Sequence, residues 1–587
     1  MQSSIFRSIQ LLIKFNKVYL PLSIVYKVLQ GIIPMISIIC MQQIINEVQN
    51  KNISFENILK LVLFYICLQI ANNIFQQLYE KYKYKFNVNF SKAINIQIMN
   101  KATSLSLKDY EDKETYNLIS RAQNQSGTNL INYINSIFDI TQQIISIIGM
   151  GYILFSYKWQ IVFLIIIIPI IRTIATYIFD KKLYKIRLKR TSDNRQKWYI
   201  NFLLTTGTAF KEIKLSGLGI HLINKYEKLQ DKMINEEMNI YNKNMLVDML
   251  LDFLEWVILG GIYIYIFYQG FIKIILIGDV TAYFECINNI KSSIKGIFIE
   301  INNLVDQSMY INLFFEFLDI PESPHTEKKE IKLIKKIEFK NVSYKYKNGK
   351  YAIKNTSFII PPRTTIALIG ENGSGKTTLL KLILGLYDDY EGNIYINDIN
   401  IKDINIDNYQ RKIGIVFQDY MKYETTIREN IAYGNLKQLK NDIKINKLIK
   451  KVHLENKLGN MKGIDTVIGN WFGEQQFSIG EWQRIAIARA LIKDADMYIF
   501  DEPDSSLDIF RQKEMVEIIK QFTQNKIGLY VSHKINHANE IANIIMVLED
   551  GMLIEIGSHK ELIANKQKYF RLYEESLNRE KVNKPLF

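Results

Sequence analysis

Residues 370–377 read GENGSGKT, and this octapeptide decides the fold of the second half of the chain. It satisfies the pattern G-x-x-x-x-G-K-[ST], in which glycines let backbone N–H groups wrap around phosphate groups. The apolar run Thr365–Ile369 precedes it, and a helical pattern over Thr378–Leu386 follows it. A helix N-terminus adds a favourable potential for phosphate. The stretch therefore predicts a nucleotide-binding α/β domain.

The same pattern assigns roles to individual residues. Lys376 would reach the β- and γ-phosphates, and the Thr377 hydroxyl would bind Mg²⁺. The other predicted nucleotide-binding residues of this stretch are Gly370, Glu371, Asn372, Gly373, Ser374, Gly375 and Thr378.

A second candidate site follows the apolar strand Met497–Phe500, which runs directly into Asp501 and Glu502. On its own this pair could be a surface turn after a strand. Phosphoryl transfer to water, however, needs one carboxylate on the metal and another beside the attacking water. Downstream of a phosphate-binding loop, the pair therefore predicts Asp501 as a Mg²⁺ ligand and Glu502 as the group that polarises water.

The segment FSIGEWQR at 477–484, followed by IAIARAL, resembles the signature sequence of ATP-binding cassette (ABC) transporters, usually LSGGQ-x-QR. It differs by Phe for Leu, Ile for the first Gly and Glu for Gln. Ser478, Gly480 and Glu481 are its predicted nucleotide-binding residues. The segment lies about 100 residues after Lys376 and about 20 before Asp501, as in that family.

The resemblance implies further roles in the same chain order. Tyr346, in VSYKY, matches the aromatic residue that stacks on adenine. Gln418, in IVFQD, matches the residue that senses Mg²⁺ and contacts the membrane domain. Asp508, in SSLD, matches a dimer-contact loop, and His533, in YVSHK, matches the switch histidine that holds the γ-phosphate. Because Glu502 and His533 are both present, we expect ATP hydrolysis, with Lys376 and Gln418 also in the catalytic set.

The first half of the chain carries long apolar runs, each close to the ~20 residues that cross a bilayer core. They predict six membrane-spanning helices, at 18–39, 58–79, 134–157, 159–179, 245–268 and 271–290. The predicted organisation is a transmembrane domain over 1–316, a linker over 317–330 and an ATP-binding cassette over 331–587. The predicted fold class is an α-helical six-span domain fused to an α/β P-loop domain. The membrane half resembles the exporter (type IV) class of ABC transporters, which implies the fold of that class.

Charge orients this predicted membrane domain. Residues 81–130 carry eight Lys or Arg and residues 181–190 carry six, whereas each short link between spans has one Lys at most. Since cytoplasmic loops carry the positive excess, both long loops and both termini are predicted to be cytoplasmic, in a bacterial cytoplasmic membrane. The basic amphipathic stretch Gln2–Lys17 is predicted to lie on the inner membrane surface. The net charge of +15 is largely explained in this way, so no nucleic-acid partner is expected.

The exporter resemblance extends to the two long loops. Tyr110–Tyr116 resembles the entry to that class's first coupling helix, and Phe210–Lys214 resembles its second. One cassette supplies a phosphate loop and a signature that face different subunits in the family. The resemblance therefore implies pairing of two chains, a homodimer being the simplest arrangement and a heterodimer the alternative.

The cargo is predicted from IGNWFGEQQFSIGEWQR at 468–484, whose wording resembles exporters of ribosomally made antimicrobial peptides, including lanthipeptide and lasso-peptide transporters. Since the first span begins near residue 18, we expect no N-terminal peptidase domain. A multidrug or lipid exporter of the same architecture is the alternative, and a ligand-gated channel or regulatory receptor is a minor one.

Polar residues inside the predicted spans allow two interpretations. Asp252, Glu255 and Glu285 are costly in lipid, so each should face an aqueous cavity or another helix. They could contact a cationic cargo or serve helix packing, with Lys291 as a partner for Glu285. The three cysteines, Cys40, Cys67 and Cys286, lie in apolar stretches and are predicted to be packing residues rather than disulfides or metal ligands.

Overall fold

The computed structural model describes residues 2–582 except 50–54, 208, 323–327, 347–348, 460–461, 470–471, 474, 504–508 and 534. The chain forms two compact units. The first comprises residues 1–104 and 113–321, and the second comprises 105–112 and 322–587. The boundary between the two units at residues 321–322 falls inside the predicted linker 317–330. The assignment of 105–112 to the second unit was not predicted from the sequence.

The regular secondary structure of the first unit is entirely helical within its described residues. Its helices are α1 (Gln2–Phe15), α2 (Tyr19–Gln49), α3 (Phe55–Ser104), α5 (Lys113–Tyr157), α6 (Trp159–Lys189), α7 (Thr191–Thr205), α8 (Phe210–Leu215), α9 (Leu218–Phe271) and α10 (Ile277–Leu318). The short helix α4 (Leu107–Glu111) belongs to the second unit.

Several of these helices are much longer than a membrane is thick. α3 has 50 residues and α9 has 54, so at ~1.5 Å per residue each is roughly 75–80 Å long. A bilayer core of ~30 Å covers less than half of such a helix. Parts of the polar segments between the predicted spans are thus continuations of the same helices, and the short helices α4, α7 and α8 occupy the rest.

Within the described residues, five helices are long and apolar enough to cross a membrane: α2, α3, α5, α6 and α9. The predicted sixth span, 271–290, begins at the last residue of α9 and continues into α10, which begins only at Ile277. The helix break contains Lys273 in the left-handed region, with φ of 60°. Asp279 then caps the new helix by accepting a hydrogen bond from the Leu276 N–H at 3.0 Å. A sixth span within α10 remains a prediction.

Aromatic rings fix α2 against α3. Tyr19 stacks on Phe86 with ring centroids 3.6 Å apart, and Tyr26 stacks on Tyr79 at 3.7 Å. Such paired rings add to the packing energy beyond the apolar area that they bury. Of the cysteines, Cys40 and Cys286 are buried as predicted for packing residues, whereas Cys67 is exposed on this chain.

The second unit contains two sheets. An antiparallel sheet has the order β2 (Tyr351–Ile360), β1 (Ile337–Lys345), β4 (Glu391–Ile396) and β5 (Ile399–Asn400). A six-stranded sheet has the order β10 (Met552–Gly557), β9 (Ile544–Glu549), β3 (Thr365–Ile369), β8 (Ile527–Val531), β7 (Met497–Asp501) and β6 (Ile413–Val416). All neighbours in the larger sheet are parallel except β10, which pairs antiparallel with β9.

Helices cover this unit. They are α11 (Lys376–Ile383), α12 (Ile406–Arg411), α13 (Ile427–Ala432), α14 (Asp442–Lys451), α15 (Glu455–Leu458), α16 (Ile479–Leu491), α17 (Ile509–Thr523), α18 (Ile535–Ile541), α19 (His559–Asn565) and α20 (Lys568–Val582). The central strands β3, β7 and β8 are buried at every position. Alternate residues of β3 enter two separate cores, Ala367 in one and Ile366 in the other, because successive side chains leave opposite faces of a sheet.

Candidate functional site

Four neighbouring parallel strands lead to one edge of the larger sheet. The phosphate loop follows β3, His533 follows β8, Asp501 ends β7, and Gln418 follows β6. Since carboxyl ends of parallel strands meet at the same edge, the topology gathers residues that lie more than 150 positions apart in the sequence. The predicted catalytic residues are thereby brought to one side of the cassette.

The phosphate loop needs glycine at specific positions. Gly375 has φ of 106°, and a Cβ there would lie 2.5 Å from the Ala352 carbonyl oxygen. A Cβ on Gly370 would lie 2.3 Å from the Leu548 carbonyl oxygen. Gly375 is also the N-cap of α11, so the helix begins at Lys376, two residues earlier than predicted. Both positions therefore exclude any side chain, as a tightly wrapped phosphate loop requires.

Lys376 lies under this loop. Its Nζ donates to the carbonyl oxygens of Gly370 at 2.8 Å and Glu371 at 3.0 Å, and the residue is buried. Burial lowers the pKa of the Lys376 ammonium, while Glu502 and Asp501 oppose that shift. The Ser374 hydroxyl oxygen is also buried and has no hydrogen-bond partner among the described residues. An orphaned donor beside a buried cation suits an anionic ligand.

Glu502 is the most constrained residue of the site. Its φ of 47° lies in the left-handed region, which is uncommon for a residue with a side chain. The backbone N–H of Glu502 donates to the Val531 carbonyl at 2.9 Å, which ties the end of β7 to β8. Strained backbone of this kind persists where the surrounding structure enforces it, commonly at functional sites.

Two predicted catalytic residues bind the Glu502 carboxylate directly. Gln418 Nε2 donates to Oε2 at 2.9 Å, and His533 Nε2 lies 2.6 Å from Oε1. The sequence predicted each of the three roles separately. It contained no signal that the glutamine and the histidine would hold the two oxygens of one carboxylate.

Asp501 lies beside them at the end of β7 and is buried. Desolvation, together with the negative charge of Glu502, raises the pKa of its carboxyl to about 6, although Lys376 opposes the shift. A buried carboxyl with a raised pKa at a sheet edge marks a place where a further positive charge would be stabilising.

Tyr346, predicted to stack on adenine, is half-buried beside the phosphate helix. Its hydroxyl forms a hydrogen bond of 2.8 Å with the Thr378 hydroxyl. Its ring lies edge-on to Tyr344 with centroids 5.4 Å apart. This anchoring holds the aromatic residue close to the start of α11, and its contact with a base remains a prediction.

The signature-like segment is a helix N-terminus. Ser478 caps α16: its hydroxyl accepts from the Glu481 N–H at 3.3 Å, while the Glu481 carboxylate accepts from the Ser478 N–H at 2.7 Å. This reciprocal pair is a capping box, for which the S-x-x-E spacing at 478–481 is a sequence signal. Glutamate and glutamine both serve at this position of a capping box, so Glu for Gln at 481 is compatible with the cap. Gly480 is buried, and Ile479 is exposed.

The first coupling segment contacts the cassette core. Helix α4 presents Glu111, whose carboxylate accepts from Lys381 Nζ and from the Tyr387 hydroxyl, each at 2.7 Å. Lys108 forms an ion pair with Asp389. Burial and Glu111 together raise the pKa of the Tyr387 phenol. These contact residues, at 381–389, were not predicted from the sequence.

The membrane half contains an ionic cluster, hereafter the span cluster: Arg172, Asp252, Glu255 and Lys291. Arg172 pairs with Asp252 and lies 3.1 Å from Glu255, while Lys291 lies 2.9 Å from the other Glu255 oxygen. Glu255 is buried, whereas Glu285 is exposed on this chain. The suggested Glu285–Lys291 pair is therefore replaced by Glu255–Lys291, between α9 and α10.

Some predicted features lie outside the described residues. They include Asp508 with the rest of the SSLD loop at 505–508, and residues 470–471 and 474 of the segment 468–484 from which the cargo was predicted. Within the part of the chain that is described, no group of three or more His, Cys, Asp or Glu side chains is arranged to hold a metal.

The fold and site together define a nucleotide-driven membrane transporter. The family model described as "ABC transporter" matches residues 353–505, from strand β2 to the segment after Glu502. The chain belongs to the ABC transporter family, which confirms the resemblance predicted from its motifs. It therefore binds and hydrolyses ATP as part of a multi-pass membrane protein.

Relatives that match over most of the chain narrow the class of transporter further. The subtilin transport ATP-binding protein SpaT of Bacillus subtilis is 31% identical over 544 residues, covering 92% of this chain and 88% of that protein. The nisin transport ATP-binding protein NisT of Lactococcus lactis subsp. lactis is 31% identical over 577 residues, covering 96% and 95%. An ATP-dependent lipid A-core flippase of Pectobacterium atrosepticum is 26% identical over 473 residues, covering 79% of each chain.

The fold itself has a solved counterpart. A bacterial Atm1-family ABC exporter with ATP bound matches with a TM-score of 0.78 and 18% identity, covering 95% of this chain and 99% of that one. The predicted fold class, a helical exporter domain fused to a P-loop cassette, is confirmed by this match.

Proposed function

We propose that this chain exports a ribosomally made peptide across the cytoplasmic membrane, as a homodimer powered by Mg²⁺-ATP. The observation that carries the proposal is the 31% identity to the subtilin and nisin transport proteins, sustained over nearly the whole of each chain. It includes the membrane half, where a cargo would be bound. The positive excess at 81–130 and 181–190 supports cytoplasmic termini.

In this proposal Glu502 polarises the attacking water. Its carboxylate is already held by Gln418 and His533, and those two side chains would exchange this bond for contacts with water and the γ-phosphate when ATP binds. Lys376 would exchange its two carbonyl partners for phosphate oxygens. Hydrolysis thus requires no new side chain to enter from elsewhere in this cassette.

Magnesium fits the donor set. Asp501, Thr377 and Gln418 offer the carboxylate, hydroxyl and amide oxygens that this ion prefers, and Thr377 is exposed at the start of α11. The raised pKa of Asp501 reflects a carboxylate that lacks sufficient positive charge around it. When bound, the ion supplies charge neutralisation for the phosphates. The three residues would hold it in place.

Pairing of two chains follows from the signature. Ser478 and the N-terminus of α16 form a site suited to a phosphate, with a capped helix dipole behind it. We assign this end of α16, with Asp508, to the ATP held by the partner subunit's phosphate loop, as the family resemblance implies. Closure of two cassettes on ATP would then drive the helices outward-open, and hydrolysis would reset them.

Contacts of α4 give this motion a route to the membrane half. Glu111 binds Lys381, in the last turn of the phosphate helix α11, and Tyr387, just after it. Lys108 pairs with Asp389, which also follows that helix. A displacement of α11 on nucleotide binding would therefore move the segment that joins α3 to α5.

The test is transport itself. The purified protein is placed in lipid vesicles with ATP, and accumulation of labelled nisin or subtilin, the peptides in the names of the two relatives, is compared with that of a labelled phospholipid. The proposal predicts that the peptide stimulates ATP hydrolysis and is accumulated, and that the Glu502→Gln variant accumulates neither. Transport of the phospholipid alone would overturn it.

A lipid flippase is the second candidate, supported by the 26% identity to the lipid A-core flippase. That match covers less of the chain at lower identity than the two peptide-transport relatives. The same vesicle assay separates the two functions, because its labelled phospholipid is the flippase cargo.

A further inference from the structure

A cavity opens on one face of α3, beside the junction of α1 and α2. Its volume is about 570 Å³. The wall includes both apolar and polar side chains: Phe15, Asn16, Tyr82, Lys85, Asn89 and Lys92. No part of the ATP site or of the span cluster contributes to it.

The α3 residues that line the cavity lie on one face of that helix. Tyr82, Lys85, Asn89 and Lys92 are spaced three or four residues apart, so they lie in one stripe along α3. Across from this stripe, the Asn16 side-chain N–H donates to the Tyr82 hydroxyl at 3.2 Å. The cavity is therefore closed at one end by the turn that joins α1 to α2.

An aromatic cluster forms the apolar wall. Phe15 packs edge-on against Phe86, with ring centroids 5.8 Å apart, and against Phe90 at 5.3 Å. Phe86 is itself stacked on Tyr19. Since Phe15 nevertheless remains 41% exposed, it offers an apolar surface that this chain leaves uncovered.

The polar wall is positively charged. Lys85 and Lys92 are both exposed, and within the described ranges of the chain neither forms an ion pair. They are two helical turns apart, about 10 Å along the axis. Because lysine stems are long and flexible, both ammonium groups can reach one anionic group between them. No acidic residue lines the cavity.

The depth of the cavity in a bilayer follows from the residues and helices around it. Tyr19, at the start of α2 and of the predicted first span, stacks on Phe86 in the cavity wall. Helix α1, predicted to lie on the inner membrane surface, ends at Phe15. Under the proposed orientation, on which this step rests, the two lysines lie at the headgroup level of the inner leaflet.

We infer that this cavity binds an anionic phospholipid from the inner leaflet, with the phosphate between Lys85 and Lys92 and an acyl chain against Phe15. Basic pockets between helices on the cytoplasmic side of a membrane are suited to anionic headgroups. The apolar wall distinguishes a lipid from free phosphate, which would use the lysines alone. A cationic peptide cargo would be repelled by the same lysines.

The test uses the full-length protein in nanodiscs that contain phosphatidylglycerol and phosphatidylcholine. Native mass spectrometry after delipidation measures how many phosphatidylglycerol molecules remain bound. The wild type should retain phosphatidylglycerol in preference to phosphatidylcholine. The Lys85→Gln/Lys92→Gln double variant should lose that preference, with a fall in affinity on the order of tenfold.

A matched control removes the same charge elsewhere. Lys81→Gln/Lys243→Gln changes two exposed lysines that do not line the cavity, and it should retain the lipid as the wild type does. Phe15→Ala should weaken retention while keeping the phosphatidylglycerol preference. Equal loss in the two lysine double variants would overturn the inference, since the attraction would then be general surface charge.

A competition experiment distinguishes binding of a lipid from binding of free phosphate. Inorganic phosphate is added in excess over the lipid, and the lipid site predicts that phosphatidylglycerol stays bound. Displacement by phosphate would overturn the lipid assignment. None of these outcomes depends on export, so peptide transport can fail while lipid binding holds, and the reverse.

Discussion

Charged side chains cluster in both halves of this protein, but their charges are balanced in one half and unbalanced in the other. In the span cluster, Arg172 and Lys291 face Asp252 and Glu255, two cations against two anions. In the cassette, the Lys376 ammonium binds two carbonyl oxygens and, among the described residues, no carboxylate. Asp501 and Glu502 stand together as adjacent anions.

The difference in charge balance indicates that the two clusters have different roles. A balanced cluster stabilises a particular packing of helices, because removing one member leaves another uncompensated. Unbalanced charges are costly in the empty protein and become favourable only when a ligand completes them. The charges of the cassette are thus suited to binding both an anion and a cation, whereas those of the span cluster are paired with one another.

The largest effect is expected from Glu502→Gln. Removing the carboxylate that polarises water should lower ATP hydrolysis by roughly 10²–10⁴-fold. ATP binding should persist, because Lys376 and the phosphate loop are untouched. Phosphate release and nucleotide binding are measured on the same preparation. The buried Glu555, whose carboxylate accepts from the Tyr569 N–H, provides a control as Glu555→Gln, which should hydrolyse ATP normally.

Ser478→Ala should come next, with ATP hydrolysis reduced by about 10²-fold and ATP binding little changed. The change also removes a helix cap worth about 1 kcal/mol. Ser558 caps α19 through the same capping box with Glu561, so Ser558→Ala controls for that structural cost. A comparable fall in hydrolysis for both variants would reduce Ser478 to a capping role.

The balanced cluster is tested by Glu255→Gln. It removes the shared partner of Arg172 and Lys291, and should lower the free energy of unfolding by about 3 kcal/mol. Thermal denaturation in detergent measures the loss. Glu285→Gln should have a smaller effect, since the described residues give it no ion pair. Adding Lys291→Gln to Glu255→Gln should recover part of the stability. If it does not, the cluster is not held by charge balance.

The smallest effect is expected from Asp501→Asn in the cassette. It should raise the free energy of unfolding, whereas Glu255→Gln lowers it. Burial and Glu502 raise the pKa of Asp501 to about 6 in the folded protein, above its ordinary value near 4. The unfavourable contribution is absent below pH 4 and is fully present above pH 6. Asp501→Asn should therefore stabilise the nucleotide-free protein at pH 7, by on the order of 1–3 kcal/mol. That gain should vanish towards pH 4, and Mg²⁺-ATP should stabilise the wild type more than the variant.

How far the sequence predicts the molecule depends on the range of the interactions involved. The strand Thr365–Ile369 was predicted with its observed bounds, because a buried apolar run followed by a phosphate loop is a local signal. The helix after it ends at Ile383 rather than at 386, since Gly385, with φ of 65°, does not continue a helix.

Contacts between segments that are distant in the sequence could not be predicted from such local signals. Glu255 and Glu285 have similar sequence surroundings, and only the packing of α9 against α6 and α10 selects Glu255 as the partner of Lys291. Likewise, the bond from Gln418 to Glu502 joins residues 84 positions apart through neighbouring strands. Motif spacing identified the residues, but it contains no information on which of them touch.

The central claim is that each ATP is held between two copies of this chain, and complementation tests it most directly. A mixed dimer of Lys376→Ala and Ser478→Ala chains is purified through two different tags, and its ATP hydrolysis is compared with that of each parent homodimer. The account predicts recovery in the mixed dimer, because one of its two sites combines an intact phosphate loop with an intact signature. A mixed dimer as inactive as both parents, while a wild-type chain paired with the Lys376→Ala/Ser478→Ala double variant stays active, would contradict it and place each site within one chain.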